Sequence, residues 1–309
     1  MIYNTAKQLN KEIKNGKHEY LFMLGEAYQD RQLITIVNSI IDSKKRVILL
    51  AGPSSSGKTT TAKKICLHLQ AAGYSPLYLG TDDYFINRAD VPFDKDGKQN
   101  FEGLEALDLQ LFNDNIKGLL EGKKVDLPRY DFLDGTKHFG ERVIKSTKDN
   151  IFMIEGIHGL NDALTPQIDQ KDKFKVFVSP LSAPSADGVS IKPADIREIR
   201  RLVRDYHKRG WGVKQTFAHW PDVIKGEKKN ILPFRKYADA EFNSALFYEL
   251  SVLKKYAMPL LKSVGKKDSE YEEALRLINI LKPFDSIEDD SLIERDSILR
   301  EFIGGSSIE

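Results

Sequence analysis

Four residues in the stretch "AGPSSSGKTT" have the types and spacing to hold a polyphosphate: Gly52, Gly57, Lys58 and Thr59 fit G-x-x-x-x-G-K-[ST]. Glycine lets the backbone fold close around phosphate oxygens, successive N–H groups turn inward, and a helix beginning at the lysine adds partial positive charge. The whole loop, Gly52, Pro53, Ser54, Ser55, Ser56, Gly57, Lys58, Thr59 and Thr60, is therefore the expected seat of a nucleoside triphosphate. Lys58 is expected to reach the β- and γ-phosphates and the Thr59 hydroxyl to bind Mg²⁺. A Gly/Ser-rich turn that binds nothing is the plainer alternative. The apolar run "RVILL" directly before the loop and the helical pattern after it favour the phosphate seat.

Three further groups could act on the bound phosphates. Asp82 and Asp83 lie in "PLYLGTDDYF", at the C-terminal end of a second apolar run, which in an open parallel sheet is the edge where ligands sit. A carboxylate there can accept a proton from an attacking hydroxyl or orient it. An Asp pair can equally cap a turn, and position alone leaves both readings open. Glu155 closes "NIFMIEG", where an acid can hold Mg²⁺ directly or through water, or merely be solvated. His158, next to glycines, reads as structural and is given no role. In "ADIREIRRLVRDYHKRG", Arg197, Arg201, Arg204 and Lys208 fall at spacings of four, three and four, within about 60° of one another on a helix. Ile196, Ile199, Val203 and Tyr206 occupy another sector. One face is thus expected to pack while the other presents the cations of a lid that closes over phosphates. On its own, such a stripe is usually a solvated basic face.

The elements that must position these groups alternate along the chain. Short apolar runs, "RVILLAG", "PLYLG", "NIFMIEG" and "FKVFVSP", are separated by helical patterns near 58–72 and 104–121 and followed by helices after 194. Alternation of this kind predicts an α/β fold with a parallel sheet flanked by helices, here a P-loop NTPase fold with a helical lid and a small β-hairpin. The hairpin is expected from "KKVDLPRYDF" and "GERVIKS" on either side of a turn-rich "LDGTKHFG". Residues 1–44 form a charged helical extension whose apolar positions Leu33, Ile34, Ile36, Val37, Ile40 and Ile41 suggest one packed face. The P-loop domain spans 45–264, with the lid at about 194–232. A helical extension, 265–309, packs on it and ends in a helical turn and a frayed tail. The stretch "LSAPSADGVSIKP" reads as a mobile loop.

Composition excludes several classes. With 309 residues, 41% hydrophobic and 30% charged, the chain is an ordinary folding protein, neither disordered nor fibrous. A net charge of +2 gives no footprint for nucleic acid or an anionic membrane. The single cysteine, Cys66, cannot form an intrachain disulfide, the N-terminus is too polar for a signal peptide, and no run approaches a membrane span. A cytoplasmic protein is the simplest expectation, and homo-oligomerisation is left open.

The ordered series "AGPSSSGKTT", "DDYF", "FEGLEALD", "LPRYDF", "IEGIHGLN", "RRLVRDYHKRG", "FNSALFYEL" and "SILREFIGGS" resembles the uridine kinase and phosphoribulokinase family, and more narrowly bacterial uridine kinase-like proteins. The match runs from about residue 45 to the C-terminus. In many bacterial relatives longer N-terminal domains resembling those of a tRNA synthetase precede this unit; here a short helical segment does. Carried over residue by residue, the resemblance implies Asp82 as the base acting on a nucleoside 5′-hydroxyl and Phe85 in the substrate pocket. It implies Phe101 and Glu102 at the ribose, Tyr130 and Phe132 around the base, and Arg201 on the substrate side. Arg204 and Arg209 would be lid arginines that act with Lys58 on the phosphates, and Glu155 the magnesium-associated acid. Three positions depart from the family pattern: Glu102 replaces an Asp, Gly135 stands where a base-reading histidine is usual, and Trp211 where a further lid arginine is usual.

The leading expectation is an ATP- and Mg²⁺-dependent kinase that phosphorylates the 5′-hydroxyl of a pyrimidine nucleoside, uridine and also cytidine, as in salvage. A second keeps the fold and takes another sugar or a sugar phosphate as acceptor, as phosphoribulokinase does. A third is a nucleotide-binding regulatory or RNA-associated module without catalysis, against which the presence of Lys58, Asp82 and Glu155 argues.

Overall fold

A computed structural model describes residues 2–93, 97, 99–186, 188 and 190–308. Its centre is a five-stranded sheet in the order β2-β5-β1-β6-β7, parallel throughout. The strands are β1 (Val47–Ala51), β2 (Ser75–Gly80), β5 (Asn150–Glu155), β6 (Lys173–Ser179) and β7 (Ala240–Asn243). The run "VILLA" of β1 is buried over its whole length, as a central strand covered on both faces must be. Its alternate side chains feed two cores: Ile48 and Leu50 face one side with α-helical neighbours, Val47 and Leu49 the other.

On the first face lie α2 (His18–Ser43), α3 (Lys58–Ala71), α5 (Pro193–Arg209), α7 (Glu249–Lys262) and α8 (Tyr271–Leu281), whose apolar residues share one core with Met153, Val176 and Val178. The second face is covered by α4 (Leu109–Leu120) through Phe112, Ile116 and Leu119. The antiparallel pair β3 (Lys124–Asp131) and β4 (Thr136–Lys145) forms a separate two-stranded sheet. α6 (Val213–Asn230) follows α5 after a turn that begins at Gly210, in the left-handed region at φ 65°.

The N-terminal extension is α1 (Ala6–Lys14) and α2. Leu33, Ile36, Val37 and Ile40 are buried as the spacing requires, while Ile34 is exposed. Polar contacts fix the register of α2: Gln29 donates to the Ser244 carbonyl at 3.0 Å, and Tyr248 donates to Glu26 at 2.7 Å. Asn10 ties this extension to the C-terminal one by donating to the Pro283 carbonyl and accepting from the Asp285 N–H.

Several local expectations are revised. β4 begins at Thr136, so the hairpin turn is short and "TKHFG" belongs to the strand. β7 has no strand-like run in the sequence; it is anchored by Phe242, fully buried, with the partly buried Ala240 beside it. The stretch expected to be a mobile loop is pinned where it is described: Ala6 donates to the Ser185 carbonyl, Ser185 donates to Asn4, and Ala186 and Ile191 are buried. Residues 187 and 189 of that stretch lie outside the described residues. The helical turn expected near residue 300 is present as α9 (Arg300–Ile303), which packs against α5 with Ile298, Leu299 and Phe302 fully buried. Among the described residues no helix is long and apolar enough to cross a membrane.

Candidate active site

β1 delivers the chain into the loop 52–57, and α3 begins at Lys58. Gly52 permits the tightest approach: a Cβ there would stand 2.0 Å from the Val178 carbonyl of β6. Gly57 caps α3 in the left-handed region at φ 85°, where a side chain is strained. Ser55 adopts φ 60° without being glycine, the kind of local strain that survives where surrounding contacts over-determine it. Those contacts come from α5. Arg197 donates to the Ser54 carbonyl at 3.2 Å and Arg200 to the Ser55 carbonyl at 3.4 Å. Because the peptide is trans and planar, a carbonyl held from behind points the Ser55 N–H the opposite way.

The loop fits a polyphosphate on its own donors. Among the described residues the Ser55 and Ser56 hydroxyls are buried without a hydrogen-bond partner, and Lys58 makes a weak 3.4 Å contact to the Pro53 carbonyl. The Thr60 hydroxyl donates to Glu301 at 2.8 Å, so its main-chain N–H is the group that Thr60 can offer to the loop.

Parallel register brings the acids to the same edge. Gly80 and Leu50 both pair with Glu155, so the end of β5 lies between the phosphate loop and the turn Thr81–Tyr84 that carries Asp82. Glu155 Oε2 accepts from the Thr59 hydroxyl at 3.2 Å and from the Tyr78 hydroxyl at 3.0 Å. Burial pushes its carboxyl up to about 7, with Asp82 and Glu301 adding to the effect and Lys58 and Tyr78 opposing it. A hydroxyl and a carboxylate side by side are the hard oxygen donors that suit Mg²⁺. Asp82 stands at the solvent-open mouth of the cleft. Crowding by the cleft walls raises its carboxyl, Lys58 pulls it down, Asp83 raises it and Arg209 lowers it. Water still reaches this carboxylate, so its rise is that of a cleft wall and smaller than full burial would give. Asp83 is engaged elsewhere, accepting from Arg142 at 2.6 Å.

The basic stripe is rearranged relative to expectation. Arg197 is not a phosphate-facing cation; it is buried and paired with Glu227 at 2.5 Å. Arg200, which the spacing argument passed over, is fully buried and paired with Glu249 at 2.7 Å. Tyr206, expected on the packed face, is half exposed. α5 is therefore largely core: Arg197 and Arg200 brace the loop from behind, and the cations that stand beside it come from the second half of the helix. There Arg201, Arg204 and Arg209 converge on the fully buried Asp205 at 3.2, 3.1 and 3.4 Å. Three guanidinium groups around one carboxylate leave a surplus of positive charge beside the loop, and Arg201 also donates to the Ser54 hydroxyl at 3.0 Å. Asp205 gave no signal in the sequence beyond its i,i+4 spacing from two of these arginines.

The expected acceptor residues come together. Phe85 is the hub: its ring centroid lies 6.2 Å from Phe101, 5.6 Å from Tyr130 and 6.1 Å from Phe132, and Tyr130 and Phe132 are 5.0 Å apart. Phe132 remains largely exposed, while the Tyr130 hydroxyl is buried without a partner. Burial raises the Glu102 carboxyl, while Lys58 and Arg201 lower it and Asp82 raises it, so Glu102 shares one electrostatic environment with all three. Its carbonyl accepts from Asn230 of α6 at 2.6 Å. Gly135, at the histidine position of the family, adopts φ 75°, and Arg88 fills the space beside it. Trp211 stacks on His219 at 5.0 Å with the Arg209 guanidinium 5.6 Å from its ring. An open depression between α4 and β3 is lined by exposed charged chains such as Lys117, Lys123 and Lys124, and none of the groups gathered at the phosphate loop lines it.

The chain is similar to several known proteins. The chain is 31% identical over 199 residues to the uridine kinase of Macrococcus caseolyticus, covering 64% of this chain and 87% of that protein. It is 30% identical over 199 residues to the uridine kinase of Ligilactobacillus salivarius, covering 64% and 84%. A solved structure described as a possible uridine kinase from Bacillus stearothermophilus covers 69% of this chain and 98% of its own, at 21% identity and a TM-score of 0.46. The model of the phosphoribulokinase / uridine kinase family matches residues 47–247, from the first residue of β1 to just beyond β7, and the chain belongs to that family.

Proposed function

We propose that this protein is an ATP-dependent kinase that transfers the γ-phosphoryl group to the 5′-hydroxyl of a nucleoside, with uridine, and cytidine beside it, as the acceptor. The observation that carries the reading is the set of four aromatic rings, Phe85, Phe101, Tyr130 and Phe132, clustered on the acceptor side of Asp82. Flat rings at these separations suit a planar base by stacking or edge contact. A sugar phosphate has no such surface to offer. The two relatives named as uridine kinases support the same class of acceptor.

In the proposed mechanism the loop amides, the Ser55 and Ser56 hydroxyls and Lys58 hold the triphosphate. Thr59 and Glu155 would hold Mg²⁺, which when bound neutralises phosphate charge and orients the β- and γ-oxygens. Asp82 accepts the proton of the 5′-hydroxyl, its basicity increased by the cleft walls. Arg201, Arg204 and Arg209, already drawn together by Asp205, offset the charge that develops on the phosphoryl oxygens. Glu102 grips the ribose hydroxyls and the aromatic rings hold the base, so that most of the acceleration comes from positioning.

The test is ADP release from ATP and Mg²⁺ across a panel of ribonucleosides, deoxyribonucleosides, free sugars and sugar phosphates. Uridine or cytidine should give the highest kcat/KM. The Asp82→Asn variant should bind ATP as the parent does and lose about 10²–10⁴ in kcat. Stimulation by sugar phosphates and by no nucleoside would overturn the proposal.

A further inference from the structure

His158 lies in the turn that follows β5, three residues beyond Glu155. Its side chain is 2% exposed, and among the described residues neither ring nitrogen makes a hydrogen bond of good geometry, the backbone of Glu102 and Gly103 lying beside the ring as its only loose partners. A buried imidazole with both nitrogens poorly bonded is a costly arrangement unless something else satisfies it. The ring forms part of the wall of a narrow cavity shared with Asp82, Phe85, Phe101 and Gly103. Burial pushes the imidazole down to about 4, against the opposing pull of Glu105. At neutral pH one nitrogen therefore donates and the other accepts. A group of this kind suits a neutral hydroxyl, which can do both, and gives no charge attraction to a phosphate.

On the reading of this cleft as the acceptor side of a nucleoside kinase, we propose that His158 is a substrate-binding residue whose imidazole hydrogen-bonds a hydroxyl of the acceptor's sugar. The cavity it shares with Asp82 places it next to the group that meets the sugar's reacting oxygen, and Phe101 and Gly103 flank the segment that carries Glu102. His158 and Glu102 would then divide the sugar hydroxyls between them. Discrimination arises because an acceptor lacking the bound hydroxyl leaves the ring nitrogen unsatisfied again.

A purely structural role, with the ring propping up the Glu102–Gly103 backbone beside it, predicts something different. It would weaken every acceptor by the same factor. The experiment is a double cycle of protein and substrate: parent and His158→Phe, each assayed with uridine, 2′-deoxyuridine and 3′-deoxyuridine. The parent should lose about tenfold or more in kcat/KM with one of the two deoxynucleosides. His158→Phe should lose about as much with uridine and show no further loss with that deoxynucleoside, while its KM for ATP stays within about twofold. His158→Asn, which restores an amide donor and acceptor, should recover part of the difference. Without any variant, the ¹⁵N resonances of the His158 ring in the parent should shift when uridine is added and not when the discriminated deoxynucleoside is added. Losses that multiply independently, or ring resonances indifferent to uridine, overturn the role of His158 and leave the nucleoside kinase reading standing. Failure of every nucleoside to yield ADP overturns both.

Discussion

The buried pair between Arg200 and Glu249 makes a quantitative prediction about the phosphate loop. The Arg200 side chain is 0% exposed and that of Glu249 1% exposed. Four acceptors surround the guanidinium: Glu249 Oε2 at 2.7 Å, the Ser244 carbonyl at 2.8 Å, the Ser244 hydroxyl at 3.3 Å and the Ser55 carbonyl at 3.4 Å. Glu249→Gln keeps the shape and one carbonyl acceptor while removing the only charge that balances the arginine in this group. Breaking a buried pair by removing one partner costs about 3–5 kcal/mol, and the isosteric change should fall near 3. In a chain of 309 residues each kcal/mol moves the midpoint by roughly 1.5 °C, so a drop of about 4–5 °C is expected. Urea unfolding gives the free energy and a thermal scan the midpoint. Titration with ATP should in addition show several-fold weaker binding, since Arg200 holds the Ser55 carbonyl that sets the strained turn of the loop. The pair Arg200→Met with Glu249→Leu removes both charges and should cost less than the single change. A Glu249→Gln protein within 1 kcal/mol of the parent, or a double variant worse than the single, would refute the reasoning.

Glu155 and Gly57 supply two more tests. The Glu155 carboxyl is pushed up to about 7 in the metal-free fold, so folding favours its protonated form. The stability this contributes is full below the ordinary carboxylate range, is lost as the pH rises through about 7, and amounts to at most about 3 kcal/mol. Unfolding measured in a chelating buffer should weaken between pH 5 and 7.5 in the parent and much less in Glu155→Gln; equal slopes would remove Glu155 as the cause. At Gly57 both φ 85° and the Ile298 Cγ2 atom, 2.9 Å from the position of an added Cβ, oppose a side chain. Gly57→Ala should cost about 1–3 kcal/mol and abolish tight ATP binding, read by calorimetry, and a variant that binds as the parent does would show that the loop tolerates another path.

What the sequence disclosed and what it hid follow from range. The phosphate loop was legible because its chemistry is local: glycines, lysine and threonine at fixed offsets between a strand and a helix. Four of the five strands of the parallel sheet, β1, β2, β5 and β6, were legible for the same reason, as apolar runs at the right spacing. The aromatic cluster was reached through ordered motifs, and the structure assembles it from three separate segments, 85, 101 and 130–132. What stayed hidden depends on partners distant in the chain. A basic helical stripe looks the same whether its arginines face water or buried acids, and Glu227 and Glu249, which decide the matter for Arg197 and Arg200, lie 30 and 49 residues away. β7 is set by the edge of β6 that it covers and carries little pattern of its own. His158 was passed over because a lone histidine beside glycines has no periodicity to interpret; its signal is the pair of poorly bonded nitrogens, visible only in three dimensions.

The flank of the phosphate loop is closed by a segment far away in the chain. Thr60 is bonded to Glu301, 241 residues later, and Ile298 lies against the Gly57 position. A contact across so long a stretch of chain carries a large closure entropy that local strand and helix formation does not lower. The loop's flank should therefore settle late in folding, after β1 and α3 have already formed.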